Sequence, residues 1–353
     1  MSDILSQTLA NIKPLDKTSM SNAKKRQDVL TKPTGSLGRL EELSIQIAGI
    51  QAKSMPQIKQ KAVIVMAADH GVAAQGTSAY PQEVTTQMVL NFLRGGAGIN
   101  VISRQVGARV IIVDMGVAGK LEPNPGLVSR RIAAGTQDMS KGPAMSLSQA
   151  TQALETGIEI VTGEIKKGLD IVGTGDMGIG NTTASSAICA VMLGETIAKV
   201  TGRGTGLDDK QLQHKIAIIN EALTLNKPDA SKPMDVLAKV GGFEIGGLAG
   251  VMLGAASHRI PVVIDGFISG AAALVAVGLC PRVKDYLIAG HCSVEPAHKL
   301  LLKDLGLRPL LDLEMRLGEG TGAALAMSIA ETSVRILAEM ATFSEAGVSD
   351  KGE

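Results

Sequence analysis

Short apolar runs rich in β-branched residues recur along the chain, and each gives way to glycine, aspartate or histidine. Ala62–Met66 leads into Asp69-His70-Gly71, and Val110–Val113 into Asp114-Met115-Gly116. Leu169–Val172 leads into Gly173, Val262–Ile264 into Asp265-Gly266, and Tyr286–Ala289 into Gly290-His291. A weaker sixth run, Pro309–Leu313, precedes Gly318-Glu319-Gly320. Runs without polar alternation, separated by helix-length segments, predict parallel strands covered on both faces. In such sheets ligands bind beyond the carboxyl ends of the strands, where the polar and glycine-rich residues cluster here.

The two ends of the chain read differently. Over residues 1–55, Leu30, Leu37, Leu40, Leu43 and Ile47 recur at helical spacing, interrupted by Lys32-Pro33-Thr34-Gly35. That pattern predicts two or three helices around a loop. Residues 321–342 read as one helix with a face of small residues, Ala323, Ala324, Ala326 and Ala330, followed by a polar tail. The apolar stretch from Val262 to Cys280 contains Asp265 and is punctuated by Gly266, Ser269 and Gly270. An unpaired aspartate is costly in lipid, so this stretch reads as a strand, a loop and a core helix.

Composition narrows the classes. A chain of 353 residues has room for about two domains, and 45% hydrophobic with 20% charged residues is globular. The net charge of +1 leaves no electrostatic footprint for duplex nucleic acid. With no tryptophan there is little to stack single-stranded bases on. Cys189, Cys280 and Cys292 form no CxxC pair and are odd in number. That argues against a disulfide framework or a zinc site and fits a reducing cytoplasm. The start, Met1-Ser2-Asp3-Ile4, has neither the basic nor the apolar region of a secretory signal.

Three glycine clusters are the candidates for chemistry. Gly173-Thr174-Gly175-Asp176-Met177-Gly178 matches GxGxxG after a strand, and Thr182–Leu193 reads as the following helix. A helix start of this kind favours phosphate. A dinucleotide site would also need an acidic residue ending a second strand about 20 positions on, and Glu195 follows a helix instead. The competing reading is a tight strand-to-helix turn. Gly202-Arg203-Gly204-Thr205-Gly206, followed by Lys215, fits either an anion site or a flexible loop with a solvated lysine. In Arg316-Leu317-Gly318-Glu319-Gly320-Thr321-Gly322, Glu319 fits either a general base or a carboxylate capping the next helix. Histidines 70, 214, 258, 291 and 298 show no metal-binding spacing.

Several segments taken together resemble one family. They are Lys32–Glu41, Ala68–Val72, Tyr80–Thr85, Arg94–Asn100, Gly178–Thr183, the 202–206 loop, Asp265–Phe267, His291–Glu295 and Gly318–Gly322. In this order they are similar to the nicotinate-nucleotide:dimethylbenzimidazole phosphoribosyltransferases, with matches from residue 32 to 330. The resemblance implies transfer of the 5-phosphoribosyl group of nicotinate mononucleotide to 5,6-dimethylbenzimidazole, giving α-ribazole 5′-phosphate and nicotinate. It implies a Rossmann-like parallel α/β domain over residues 56–320. It also implies a small helical domain from residues 1–55 with the C-terminal helix, 321–353. A homodimer whose partner's N-terminal region helps to close the site is typical, and neither metal nor cofactor is required.

The resemblance also assigns roles. Glu319 takes the position of the catalytic base. Gly178, Gly180, Asn181, Thr182, Lys215 and Ser293 would hold the phosphate and ribose, and Ser78, Tyr80, Gln87 and Leu317 the acceptor base. One position departs from the family: a glutamate precedes its Met-Gly-Ile-Gly segment, where this chain has Asp176. The shorter arm predicts a longer or water-mediated contact if Asp176 assists Glu319. Two rival readings remain. One is the same reaction with another acceptor base; the other is a nucleotide sensor without catalysis, which would bind the nucleotide without releasing nicotinate.

Overall fold

A computed structural model describes residues 3–204 and 206–349. Its centre is a six-stranded sheet: β1 (Lys61–Ala68), β2 (Ala108–Gly116), β3 (Leu127–Ser129), β4 (Ile171–Met177), β5 (Val262–Ile264) and β6 (Leu287–Ala289). The strands are all parallel, in the order β3-β2-β1-β4-β5-β6.

The continuous apolar runs are explained by helices on both faces. Along β1, Ala62, Ile64, Met66 and Ala68 face one core, with the helices Leu147–Ile165, Asn181–Leu193, Phe243–Ser257 and Phe267–Leu279. The alternating residues Val63, Val65 and Ala67 face a second core, with Arg39–Gln51, Glu83–Arg94, Gly98–Val106 and Thr321–Glu339. Every residue of β1 is buried, so the two-residue side-chain period is hidden in a strand with no polar face.

The chain runs outward from β1 through β2 to β3, and then from β4 through β5 to β6 on the other side. The order therefore reverses between β1 and β4. A crevice opens where such a reversal splits the connections to opposite faces. The segments that follow these two strands, Asp69-His70 and Gly178–Asn181, meet at that point.

Four features differ from the sequence expectation. Pro309–Leu313 is not a strand: Leu311 makes one isolated parallel bridge with His291, and Pro309 has no N–H to extend a ladder. The sixth strand is instead β3, at the opposite edge, three residues long and placed after Glu122-Pro123-Asn124-Pro125-Gly126, which reads as loop. The GxGxxG segment is mostly strand, since β4 continues through Met177 and only Gly178–Gly180 form the turn. The last helix stops at Glu339, and the expected polar tail opens with a helical turn, Phe343–Ala346. The end of that tail, 350–353, and Thr205 of the second glycine cluster lie outside the described residues.

The first 55 residues form three helices, Asp3–Asn11, Lys17–Val29 and Arg39–Gln51. Ala23 and Ala48 pack with Leu337 of the last long helix, Arg26 Nε donates to Leu337 O at 2.8 Å, and Leu30 bridges Thr342. Val262–Cys280 is β5, a short loop and a buried helix. Among the described residues no helix is long and apolar enough to cross a membrane.

Candidate active site

Two groups of residues converge beyond the carboxyl ends of β1, β4, β5 and β6. The first suits an anion. Gly180, at φ 97°, turns the chain from β4 into the helix Asn181–Leu193, whose N-terminus carries partial positive charge. Lys215 reaches this end from the helix Asp209–Asn226, which Asp208 and Gln211 start with reciprocal capping bonds. Its ammonium donates to Thr182 Oγ1 at 2.8 Å and Gly202 O at 3.4 Å, and the residue is fully buried. Burial pulls the Lys215 pKa from 10.5 down to about 8, against the opposing charge of Glu295.

Glu295 is itself buried and held above the usual carboxylate range by desolvation, against the charge of Lys215 and the Gly204 amide. Arg316 donates to Gly204 O at 3.3 Å, tying the 202–206 loop to the segment that carries Glu319. Ser293 is buried, with its N–H on His298 Nδ1 at 2.8 Å and its Oγ accepting from Glu295 N at 3.4 Å. The structure thus places Gly178, Gly180, Asn181, Thr182 and Lys215 in direct succession. Ser293 joins them through Glu295.

The second group is acidic. Glu319 stands at φ 62°, a left-handed conformation unusual for a residue with a side chain. Ile99 N, at the start of the helix Gly98–Val106, donates to its Oε2 at 3.0 Å. The residue is 6% exposed, and burial, followed by the charge of Asp265, raises its pKa against the Ile99 and Gly98 amides. Gly175 makes this geometry possible: a Cβ there would overlap the carbonyl oxygen of Glu319, so the loop lies directly on β4.

Asp176 is the next residue of β4. Asn181 Nδ2 donates to its Oδ2 at 2.9 Å. Its pKa is raised well above the usual range, by burial first and then by the charges of Asp265 and Glu244. Glu319 also presses on it, so the two carboxyls sense one another.

Three buried ionisable residues of this region escaped assignment from the sequence. Asp265 accepts N–H groups from Gly320, Gly322 and Ala323 at 3.1, 2.7 and 3.0 Å. His70 Nε2 lies 2.6 Å from Glu244 Oε1, both side chains almost completely buried beneath the Gly178–Gly180 turn. A signal existed for each. Asp265 and His70 follow strands, and Glu244 is the one charge in the apolar run Phe243–Ser257. A buried charge needs a partner, but which partner is a question of tertiary structure.

The residues expected to hold an acceptor base sit at the solvent edge. Tyr80 and Leu317 are 54% and 60% exposed, and Gln87 also faces solvent. Ser78 is half-buried, and its Oγ accepts from Tyr80 N at 3.3 Å. Leu317 and Glu319 both lie against Gly98, so the hydrophobic side chain and the carboxylate flank one helix start. Among the described residues, no group of three or more His, Cys, Asp or Glu side chains is arranged to hold a metal ion.

A buried lysine and a helix start at the switch point of a parallel sheet, facing a buried carboxylate, fit an enzyme that transfers a group from a phosphorylated substrate. The family model described as phosphoribosyltransferase matches residues 12–348. Nicotinate-nucleotide–dimethylbenzimidazole phosphoribosyltransferases are similar over nearly the whole length. That of Roseiflexus sp. (strain RS-1) is 62% identical over 350 residues, covering 99% of each chain. That of Desulforudis audaxviator is 60% identical over 347 residues, covering 98% of each. A crystal structure of the enzyme of that name from Thermus thermophilus superposes with a TM-score of 0.90 at 46% identity, covering 95% of this chain and all of that one. The chain belongs to the nicotinate-nucleotide–dimethylbenzimidazole phosphoribosyltransferase family.

Proposed function

We propose that this protein transfers the 5-phosphoribosyl group of nicotinate mononucleotide to 5,6-dimethylbenzimidazole in assembly of the cobalamin nucleotide loop. The observation that carries this reading is Glu319. It is a buried carboxyl on a left-handed residue, held at the sheet's carboxyl edge within a chain whose relatives bear that activity in their names.

The phosphate lies at the start of the helix Asn181–Leu193, bound by the Gly178–Gly180 turn, Asn181, Thr182 and the Lys215 ammonium, with Ser293 completing the nucleotide site. The benzimidazole lies against Leu317, between Gly98 and the Ser78, Tyr80 and Gln87 edge. One azole nitrogen attacks the anomeric carbon as the bond to the pyridine nitrogen breaks, with inversion from β to α. The bond's electrons leave with nicotinate, whose ring nitrogen becomes neutral and needs no acid. The azole's other nitrogen gives its proton to Glu319. Proton transfer to a positioned carboxylate contributes roughly 10²–10⁴-fold. Asp176 stands beside it, held well above the usual carboxylate range by burial, which favours its protonated form.

The chain ends form a small helical domain in this reading, 1–55 with 321–353, on a catalytic domain of 56–320. The contacts of Ala23, Ala48 and Leu337 support it, while Arg39–Gln51 and Thr321–Glu339 also pack on the sheet. A homodimer fits the exposure of Tyr80 and Leu317, since a partner's N-terminal region would cover that edge. Three cysteines without disulfides among the described residues fit a cytoplasmic setting. The test is direct. Purified protein incubated with nicotinate mononucleotide and dimethylbenzimidazole should yield α-ribazole 5′-phosphate, identified by mass, with one nicotinate released per product. Nucleotide binding without nicotinate release would leave the sensor reading instead.

A further inference from the structure

Glu319 is held in place by a residue that does not touch the reactants. Asp265 follows β5 and is fully buried. It spends both carboxylate oxygens on one turn of backbone: Oδ2 accepts from Gly320 at 3.1 Å, and Oδ1 from Gly322 at 2.7 Å and Ala323 at 3.0 Å. These three amides come within four residues after Glu319 and form the start of the helix Thr321–Glu339. Gly320 holds the capping position before that helix and has no side chain to cap it. A carboxylate from another strand supplies the acceptor and the negative charge that a helix start favours.

The same turn is confined on two other sides. β4 lies beneath it, with Gly175 against the Glu319 carbonyl, and the His291 ring lies so close that a Cβ on Gly322 would overlap it. A left-handed residue with a side chain persists only where its surroundings over-determine it. Asp265 is the polar half of that constraint.

We propose that Asp265 is the positioning residue of the reaction: by binding the first turn of the helix Thr321–Glu339 it aims the Glu319 carboxylate at the azole proton. This rests on Glu319 being the base. It also makes the two charges interdependent. Glu319 faces the Asp265 charge from β5, opposed by the Ile99 and Gly98 amides, and the Asp176 carboxyl from β4. Asp265 in turn faces Asp176 and the His291 ring, whose Nε2 is 3.7 Å from Oδ1. The His298 ring lies behind His291, tilted by 45° at 5.9 Å between ring centres.

Asp265→Asn tests this, because it keeps the shape and one acceptor while removing the charge. Expected are a kcat lower by roughly 10- to 100-fold, as for a base displaced by about an ångström, and a KM for nicotinate mononucleotide within about twofold. The acid limb of the kcat profile should move to lower pH, since a neighbouring negative charge no longer holds Glu319 up. Exchange of the Gly320, Gly322 and Ala323 amides with deuterium should quicken. In a Glu319→Gln background, Asp265→Asn should cost nothing further, because it acts only through Glu319. Should the asparagine variant fail to fold, Asp265→Glu keeps the charge with a longer arm. It is then expected to lower kcat and leave the acid limb where it is.

Wild-type kcat in a folded Asp265 variant overturns the proposal. So does a loss of kcat in Asp265→Asn without movement of the acid limb, or a loss confined to KM. If Glu319→Gln itself turns over normally, the base assignment fails, whatever Asp265 does.

Discussion

The Lys215 ammonium stands 2.8 Å from the Thr182 hydroxyl, fully buried, with no carboxylate within ion-pair distance among the described residues. In the proposed nucleotide site this lysine is one half of an ion pair whose other half arrives with the ligand. Lys215→Ala should therefore raise the KM and Kd for nicotinate mononucleotide by about 10- to 100-fold, the worth of a charge-assisted hydrogen bond of roughly 1.5–3 kcal/mol. The effect on kcat should be smaller. Calorimetric titration of the folded variant checks it.

In the proposed site the same lysine gives nucleotide binding a pH limit. Its pKa in the free protein is about 8, so the ammonium is present below that value and lost above it. A bound phosphate favours the charged form. Affinity should be flat below about pH 8 and weaken by roughly tenfold per pH unit above it. Binding near pH 8 should also take up a proton, seen as a buffer-dependent enthalpy. Affinity unchanged up to pH 10 would place Lys215 away from the phosphate.

Glu319→Gln should fold, bind nicotinate mononucleotide with an affinity near that of the parent protein, and lose about 10²–10⁴-fold in kcat. The loss should be in turnover because the proton moves only in the transition state. In the parent protein the acid limb of kcat should lie above the ordinary glutamate value of 4.5, since burial raises this carboxyl. Single-turnover measurement of nicotinate release separates chemistry from binding.

Gly175→Ala tests the close approach of the loop to β4. The added methyl would overlap the Glu319 carbonyl. Overpacking of this kind costs about 1–3 kcal/mol of stability, and a displacement of about 1 Å at a catalytic group costs on the order of 10²-fold. The variant should retain its sheet by circular dichroism while kcat collapses. A loss of activity no larger than the loss of folded protein would remove the loop contact from the mechanism.

His70 and Glu244 make a buried pair whose stabilisation is set by pH. Burial alone would push His70 down, but the charge and hydrogen bond of Glu244 outweigh it and hold the imidazole above 6.5. A histidine raised in the folded state contributes stability that is complete below about pH 6.5 and fades as pH rises through the higher folded value. Glu244→Ala leaves that imidazole buried and unpaired, a loss of about 3–5 kcal/mol. Urea midpoints of the parent and variant should differ most near pH 6 and converge as the pH is raised.

Much of this architecture was legible in the residues. Val63, Val65 and Ala67 interleave with Ala62, Ile64 and Met66 in one apolar run, and only a strand buried on both faces tolerates that. The Gly318-Glu319-Gly320 triplet pointed to Glu319 and the glycine loops to Lys215 as candidates, and the fold buries both side chains. Pro309–Leu313 misled because it runs beside the end of β6, where Leu310 and Leu311 donate to Ala289 and Gly290, but forms a single bridge and no strand. β3 was missed because a three-residue edge strand carries almost no periodic signal. The strand identity of Gly173–Met177 was missed because glycines read as turn. Here they are small so that Met327 and the Glu319 backbone can lie on β4.

The amino-acid order by itself determined where most of the strands lie and which reactive side chains follow them, because apolar periodicity and glycine act over a few neighbouring residues. Which of those side chains meet was decided only by folding. His70 pairs with a glutamate 174 positions away, and Asp265 caps a helix that begins more than fifty residues later. Burial and charge at such meetings set each group's protonation, and both depend on what surrounds a side chain in space rather than along the chain.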